Sequence, residues 1–145
     1  YVDKERIGIW GWSYGGYMTL YALTHSKEFR AGVSVAPVTN WRFYDTIYTE
    51  RYMSLPQDNE EGYRNSSPVF FADSLHGALL LIHGTGDDNV HVQNSVEMVD
   101  ALVDAGKQFE LMFYPNQRHG ISSPADRLHL FRKMKAFLDE NLKGE

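Results

Sequence analysis

The 145-residue sequence contains no cysteine. That excludes disulfides and thiolate metal sites, but no compartment, because secreted domains of this size can hold together without bridges. It also lacks a basic excess: 14 Lys+Arg stand against 19 Asp+Glu, a formal charge of −5. Such a balance offers no electrostatic footprint for nucleic acid or anionic lipid, so neither nucleic-acid binding nor direct membrane contact is expected. No apolar run approaches the ~20 residues needed to span a bilayer. The opening YVDKER has no Met and no apolar segment, so it reads as neither a start nor a signal peptide. What is present is ordinary globular material, 43% hydrophobic and 23% charged, which argues for order. By length alone it is one domain, burying roughly 68–70% of its unfolded surface.

Four short apolar runs alternate with helical patterns: Ile7–Trp10, Ala31–Pro37, Ala78–His83 and Phe109–Tyr114. The middle two are rich in Val, Ile and Leu, as strands covered on both faces are. A helix is expected from about Tyr14 to Ser26. A second begins near Asn94, with Asn94 and Glu97 at N-cap and N3 spacing, and ends at Gly106. A third begins at Ser123-Pro124 with Asp126 at N3. Its Leu128, Phe131, Met134, Phe137, Leu138 and Leu142 recur at three- and four-residue steps and are read as one apolar face. Alternating strand and helix predict an α/β fold with a parallel sheet and right-handed crossovers. Asn40–Gly77 breaks the pattern and reads as an insertion carrying short helices over one end of the sheet. No internal repeat or low-complexity tract is visible.

Gly11-Trp12-Ser13-Tyr14-Gly15-Gly16 matches G-x-S-x-G between an expected strand and an expected helix. A serine on so sharp a turn needs little bulk two residues to either side, and Gly11 and Gly15 supply that. The turn lifts the hydroxyl to the carboxyl edge of the sheet. It also aims the Tyr14 N–H, at a helix N-terminus, where an oxyanion would form. A serine hydroxyl still needs a base. In the order Ser, acid, His, the chain offers Asp87 or Asp88 past the third strand, and His119 past the fourth. Both places are carboxyl ends of strands, where α/β sheets put their sites. His119 lies in a polar loop beside Gly120 and is preferred for that reason.

The remaining histidines have plainer readings. His25 and His129 fall in helical patterns, and His76 belongs to the insertion. His83 ends the third strand and is expected to bond the backbone of the following turn. His91, with His83, Asp87 and Asp88, makes an H-x₃-D-D-x₂-H cluster. A turn this rich in glycine reads more simply as the loop of a triad acid than as a metal site. Position alone does not choose between Asp87 and Asp88. In the insertion, Tyr44, Tyr48 and Tyr52 recur every four residues and would form one helical stripe. Composition alone favours core packing for them; the sharper reading is a hydrophobic subsite with phenolic edges. Glu50 and Arg51 read as a local ion pair or as residues that orient such a pocket. Asn65-Ser66-Ser67 fits a glycosylation acceptor, a motif too short to carry weight.

The strings IWGWSYGGYMT, VAPVTNWRFYDTIYTERYM, LLIHGTGDDNVH and YPNQRHGI resemble, in order and over almost the whole chain, the catalytic domain of the dipeptidyl peptidase IV branch of the prolyl oligopeptidase family. The resemblance implies Ser13 as nucleophile, Asp87 rather than Asp88 as triad acid, His119 as general base and the Tyr14 N–H as an oxyanion donor. It implies a pocket for proline or alanine formed by Val38, Trp41, Tyr44, Tyr48, Val90 and the Tyr14 ring, with Asn89 as a nearby polar contact. It implies peptide substrates with Pro or Ala at the second position, no metal and no cofactor. The parent is expected to be periplasmic, extracellular or membrane-anchored.

Against that family, only about four strands are present, starting with the elbow strand. The sequence therefore reads as the C-terminal half of an α/β-hydrolase domain. The family's second oxyanion donor, a tyrosine from an upstream loop, and its amine-gripping β-propeller have no counterpart here. Loss of one oxyanion donor typically costs about 10²–10³ in rate. Little or no dipeptidase activity is therefore expected of this stretch alone. Its elbow strand is expected to become a sheet edge and to pair with a second copy of the chain. Two alternatives stand beside this reading: a carboxylesterase using the same triad, and a non-catalytic assembly module, against which the intact Ser13 counts.

Overall fold

The computed structural model describes residues 2–143. Its centre is a parallel sheet of four strands in the order β1-β2-β3-β4, with β1 Gly8–Trp12, β2 Ala31–Val35, β3 Ala78–Gly84 and β4 Glu110–Tyr114. Register sets Trp12 beside Val35, Val35 beside Ile82, and Gly84 beside Tyr114. The carboxyl ends therefore lie in one row, and the loops that leave them meet. The α/β arrangement expected from the alternating pattern is present, as four parallel strands flanked by helices.

The two faces of the sheet explain why β3 is apolar at every position from Ala78 to Ile82. Leu80 and Ile82 face one core with Val33, Val35, Leu130, Met134 and Phe137. Leu79 and Leu81 face another with Leu20, Leu23, Met98 and Leu102. Successive strand residues point to opposite faces, so a sheet covered on both sides needs both sets apolar. Helix α5 (Pro124–Leu142) covers the first face. Helices α1 (Tyr14–His25) and α4 (Gln93–Asp104), with the 3₁₀ segment Pro68–Ser74, cover the second. A Cβ at Gly16 would stand 2.6 Å from the Val35 carbonyl oxygen, so glycine there lets α1 lie directly on β2.

Two helix readings are corrected. Asn94 is not an N-cap. Val92 holds that place, and Asn94 is buried within α4, where its Oδ1 accepts the Thr39 N–H at 3.0 Å and its carbonyl accepts the Thr39 hydroxyl at 2.7 Å. Its polar side chain is spent on anchoring the start of the insertion. On α5, Leu128 and Phe131 are exposed while Leu130, Met134 and Phe137 are buried. At ~3.6 residues per turn Leu128 lies about 160° from Leu130, on the far side, and Phe131 falls at the margin.

Residues 40–77 carry the 3₁₀ turn Trp41–Phe43, α2 (Thr46–Met53), α3 (Glu60–Asn65) and the 3₁₀ segment. They pack through a third core of Tyr17, Val38, Trp41, Tyr63 and Val90. Among the described residues, β1 pairs with β2 alone and its other edge is open. No helix of the described residues is long and apolar enough to cross a membrane.

Candidate active site

The strand-to-helix turn after β1 puts Ser13 at φ 60° and ψ −116°. A non-glycine residue held there stores roughly 1–3 kcal/mol of strain and is expected only where the surroundings impose it. Here the Ser13 N–H is tied to the Val35 carbonyl at 2.8 Å, and its own carbonyl accepts the Tyr17 N–H at 2.9 Å. A Cβ at Gly11 would come within 2.2 Å of the Gly15 backbone, so glycine is obligatory there. Gly15 itself has open space where its Cβ would be, so the expectation that both glycines relieve bulk holds for Gly11 only. Tyr14 is the first residue of α1. A first-turn N–H has no acceptor within its own helix and remains free for one outside.

Past β3, the turn buries Asp87 against His119 and leaves Asp88 exposed. Asp87 is 5% exposed, and its Oδ1 accepts the N–H groups of Asn89 and Val90, both at 3.0 Å. Its Oδ2 lies 2.7 Å from His119 Nδ1 and 3.2 Å from His83 Nε2. Burial pushes its carboxyl up. The bonds from His119, His83 and the Asn89 N–H outweigh burial and hold the group well below the ordinary carboxylate range. Asp88 points to solvent and pairs with Arg118 at 3.6 Å. His91 is exposed, apart from the His83–Asp87 contact.

His119 is held from several sides. Trp12 Nε1 donates to its carbonyl at 2.8 Å, which ties it to the end of β1. The Gly86 N–H donates to the Gln117 carbonyl at 3.0 Å. A Cβ at Gly84 would stand 2.3 Å from that same oxygen, so glycine lets the histidine loop close over β3. Ile121 follows at φ 41°, fully buried, a strained conformation for a β-branched residue. The His119 side chain remains 23% exposed, open to a ligand. Among the described residues Ser13 Oγ makes no hydrogen bond, to His119 or otherwise. Such bonds are often long without substrate and tighten when it binds.

Beside Ser13 lies a cavity of about 190 Å³ lined by Tyr14, Val38, Trp41, Tyr44 and Tyr48. Its walls are aromatic pairs: Trp41–Tyr48 stacked at 6.3 Å, and Trp41–Tyr44 and Tyr44–Tyr48 edge-on at 6.1 and 5.4 Å. An adjoining hollow of about 330 Å³ shares Tyr14, Trp41 and Tyr48 but does not include Ser13. Tyr48 and Tyr52 are 43% and 69% exposed, so the tyrosine stripe is a surface wall and not core, against the reading composition favours. Glu50 and Arg51 make no ion pair with each other; the Arg51 guanidinium sits 5.8 Å over the Tyr52 ring. Tyr44 donates to Asn89 Oδ1 at 3.0 Å, joining the pocket wall to the Asp87 turn. Burial, then the neighbouring Tyr48, Asp45 and Asp87, pushes the Tyr44 phenol up, so it stays a donor. Val90 is fully buried beneath this wall, in the core with Trp41 and Val38, and does not line the cavity. Sequence reasoning gave His83 only a backbone partner. Its proximity to Asp87 is an i, i+4 relation across a turn, and no periodicity marks such a contact.

A serine on a strained elbow at a helix N-terminus, with a buried Asp hydrogen-bonded to a partly exposed His at neighbouring strand ends, is the arrangement expected of an α/β-hydrolase-type serine site. The sequence matches the prolyl oligopeptidase family over residues 1–145. It is 49% identical over 144 residues to "Dipeptidyl peptidase 4" of Bos taurus, covering 97% of this chain and 19% of that protein. It is 48% identical over 144 residues to "Prolyl endopeptidase FAP" of Mus musculus, with the same coverage. The crystal structure of Porphyromonas gingivalis dipeptidyl peptidase 4 superposes with a TM-score of 0.96 at 48% identity, over 98% of this chain and 20% of that one. The chain belongs to the prolyl oligopeptidase family, a family of peptidases, and spans about a fifth of the length of these relatives.

Proposed function

We propose that these residues form the catalytic centre of a serine exopeptidase that removes N-terminal dipeptides with Pro, or less readily Ala, at the second position. The observation that carries this reading is the His119–Asp87 pair at 2.7 Å, placed at the sheet edge that also presents Ser13 and its aromatic cavity. The relatives' names support the peptidase class.

In this reading Ser13 Oγ attacks the carbonyl carbon of the proline, which bears the scissile bond, and passes its proton to His119 Nε2. The oxyanion forms against the Tyr14 N–H, with the partial positive charge of the α1 N-terminus behind it. His119 then protonates the departing amine, and water, activated by the same nitrogen, hydrolyses the acyl-enzyme. Asp87 holds the Nδ1 proton throughout. The cavity beside Ser13 takes the pyrrolidine ring against the faces of Trp41, Tyr44 and Tyr48. No step calls on a metal or cofactor.

Steady-state kinetics of the full-length protein on Gly-Pro, Gly-Ala and Gly-Leu anilides test the reading. Turnover falling in that order supports it. Preference for aryl esters over Gly-Pro anilide would favour a carboxylesterase instead. One relative is named an endopeptidase, so an N-blocked Gly-Pro anilide belongs in the same panel. An exopeptidase that releases N-terminal dipeptides discriminates against the blocked substrate.

A further inference from the structure

We propose that His83 is a positioning residue for acyl transfer, a second imidazole that holds Asp87 in the orientation His119 requires. The proposal rests on the triad reading of Ser13, Asp87 and His119.

His83 is fully buried at the end of β3. Its Nε2 lies 2.8 Å from the Val90 carbonyl and 3.2 Å from Asp87 Oδ2, and its Nδ1 lies 2.7 Å from Ser95 Oγ. Both neighbours of Nε2 are acceptors only, so Nε2 carries a proton. In the neutral ring Nδ1 then accepts, and the Ser95 hydroxyl donates to it. Ser95 on α4 and the Val90 carbonyl thus fix the tautomer that offers an N–H to Asp87.

Asp87 Oδ2 therefore receives the His119 N–H at 2.7 Å and lies 3.2 Å from His83 Nε2, whose one N–H it shares with the Val90 carbonyl at 2.8 Å. Two backbone N–H groups hold Oδ1. The carboxylate is pinned at both oxygens, and its plane cannot turn without breaking a bond. Sharing Oδ2 also tempers how strongly Asp87 stabilises the His119 imidazolium. The other groups near this carboxylate are the Tyr44 phenol and, on the solvent side, the Arg118–Asp88 pair. Neither can replace a buried donor on Oδ2. Asp87, Val90 and Ser95 come from one turn and the helix that succeeds it. The device therefore links the α4 packing to the reacting histidine.

The test is the pH dependence of kcat and KM on Gly-Pro anilide for the full-length protein and its His83→Leu, His83→Gln and Ser95→Ala variants. Fluorophosphonate labelling of Ser13 and a melting curve accompany each. In His83→Leu, kcat is expected to fall about 10–100-fold, as for other buried partners that orient a functional group, with KM nearly unchanged. The acid limb of kcat/KM should move up by about half a pH unit or more, because Oδ2 then serves His119 alone. His83→Gln, whose amide N–H reaches toward the same oxygen, should restore most of kcat and return the limb. Ser95→Ala should show a smaller change of the same sign. The proposal is overturned if kcat falls only in step with melting temperature while the limb stays fixed, or, where His83→Leu does not fold, if Ser95→Ala matches wild type in both kcat and the limb. A wild-type protein that neither turns over the substrate nor labels at Ser13 would instead overturn the triad reading, and this proposal with it.

Discussion

Replacing Asp87 by asparagine changes one atom, and the surrounding bonds decide how the new amide must sit. Oδ1 accepts the Asn89 and Val90 N–H groups, both at 3.0 Å, so the amide must put its oxygen there. The reverse orientation would set an NH₂ against two N–H donors and leave buried groups unpaired, at roughly 1–3 kcal/mol each. The amide nitrogen therefore takes the Oδ2 site, facing His119 Nδ1 at 2.7 Å, and His83 Nε2, which nears the same site, keeps the Val90 carbonyl at 2.8 Å as its acceptor. An NH₂ only donates, so Nδ1 must become an acceptor and the ring proton moves to Nε2. That is the nitrogen needed to receive the Ser13 proton. Loss of the correct tautomer costs about 10⁴ in kcat in a serine triad, or roughly 5 kcal/mol of barrier. The assay is kcat on Gly-Pro anilide with the full-length Asp87→Asn protein, checked for folding by its melting curve. Asp88→Asn, which alters only an exposed pair with Arg118 at 3.6 Å, should remain within about two-fold of wild type. A folded Asp87→Asn protein within ten-fold of wild type would refute this reasoning.

Gly11→Ala should abolish fluorophosphonate labelling of Ser13, because its Cβ would overlap the Gly15 backbone at 2.2 Å, whereas Gly15→Ala, with open space at its Cβ, should retain the fold and melt close to wild type. Equal losses from the two would contradict the elbow geometry. Tyr44→Phe removes the 3.0 Å bond to Asn89 and should lower kcat/KM on Gly-Pro anilide about 2–10-fold, chiefly through KM; a loss beyond 100-fold would mean the phenol does more than set the wall. Asp87 titrates below its unfolded value near 4, so its contribution to stability is present above that pH and is lost as pH falls through the depressed folded value. Urea unfolding should therefore show the wild-type advantage over Asp87→Asn shrinking below about pH 4, and a gap that stayed constant into acid would count against the buried pair.

The strands and the elbow were legible because their signals are local. VSVAP and LLLIH are apolar at all but Ser34 and His83 because the sheet is covered on both faces, and G-x-S-x-G encodes a single turn. The choice of Asp87 was not legible from position, since it depends on which carboxylate meets His119 after the strand ends align. The resemblance to the family implies Asp87, and Asp87 is the carboxylate that lies 2.7 Å from His119. Asn94 and Leu128 misled for related reasons. An N-cap pattern cannot foresee a side chain recruited by Thr39, 55 residues away. A run of apolar residues on a long helix does not say where its buried stripe stops. The tyrosine stripe has the spacing of a core element, and only its exposure marks it as a wall. Nothing in the sequence marks His83 as a neighbour of Asp87, because a 3.2 Å approach across the tip of a turn has no periodicity.

The central claim is that Ser13 is the nucleophile and that the aromatic cavity beside it selects proline. Treating the full-length protein with a Gly-Pro diphenyl phosphonate, which leaves a covalent proline-bearing adduct, and mapping that adduct by peptide mass spectrometry tests both parts at once. The account predicts a single adduct on Ser13, absent in Ser13→Ala and formed far more slowly with the Gly-Leu reagent. An adduct on another residue, or one that forms on Ser13 at equal rates from the proline and leucine reagents, would contradict it.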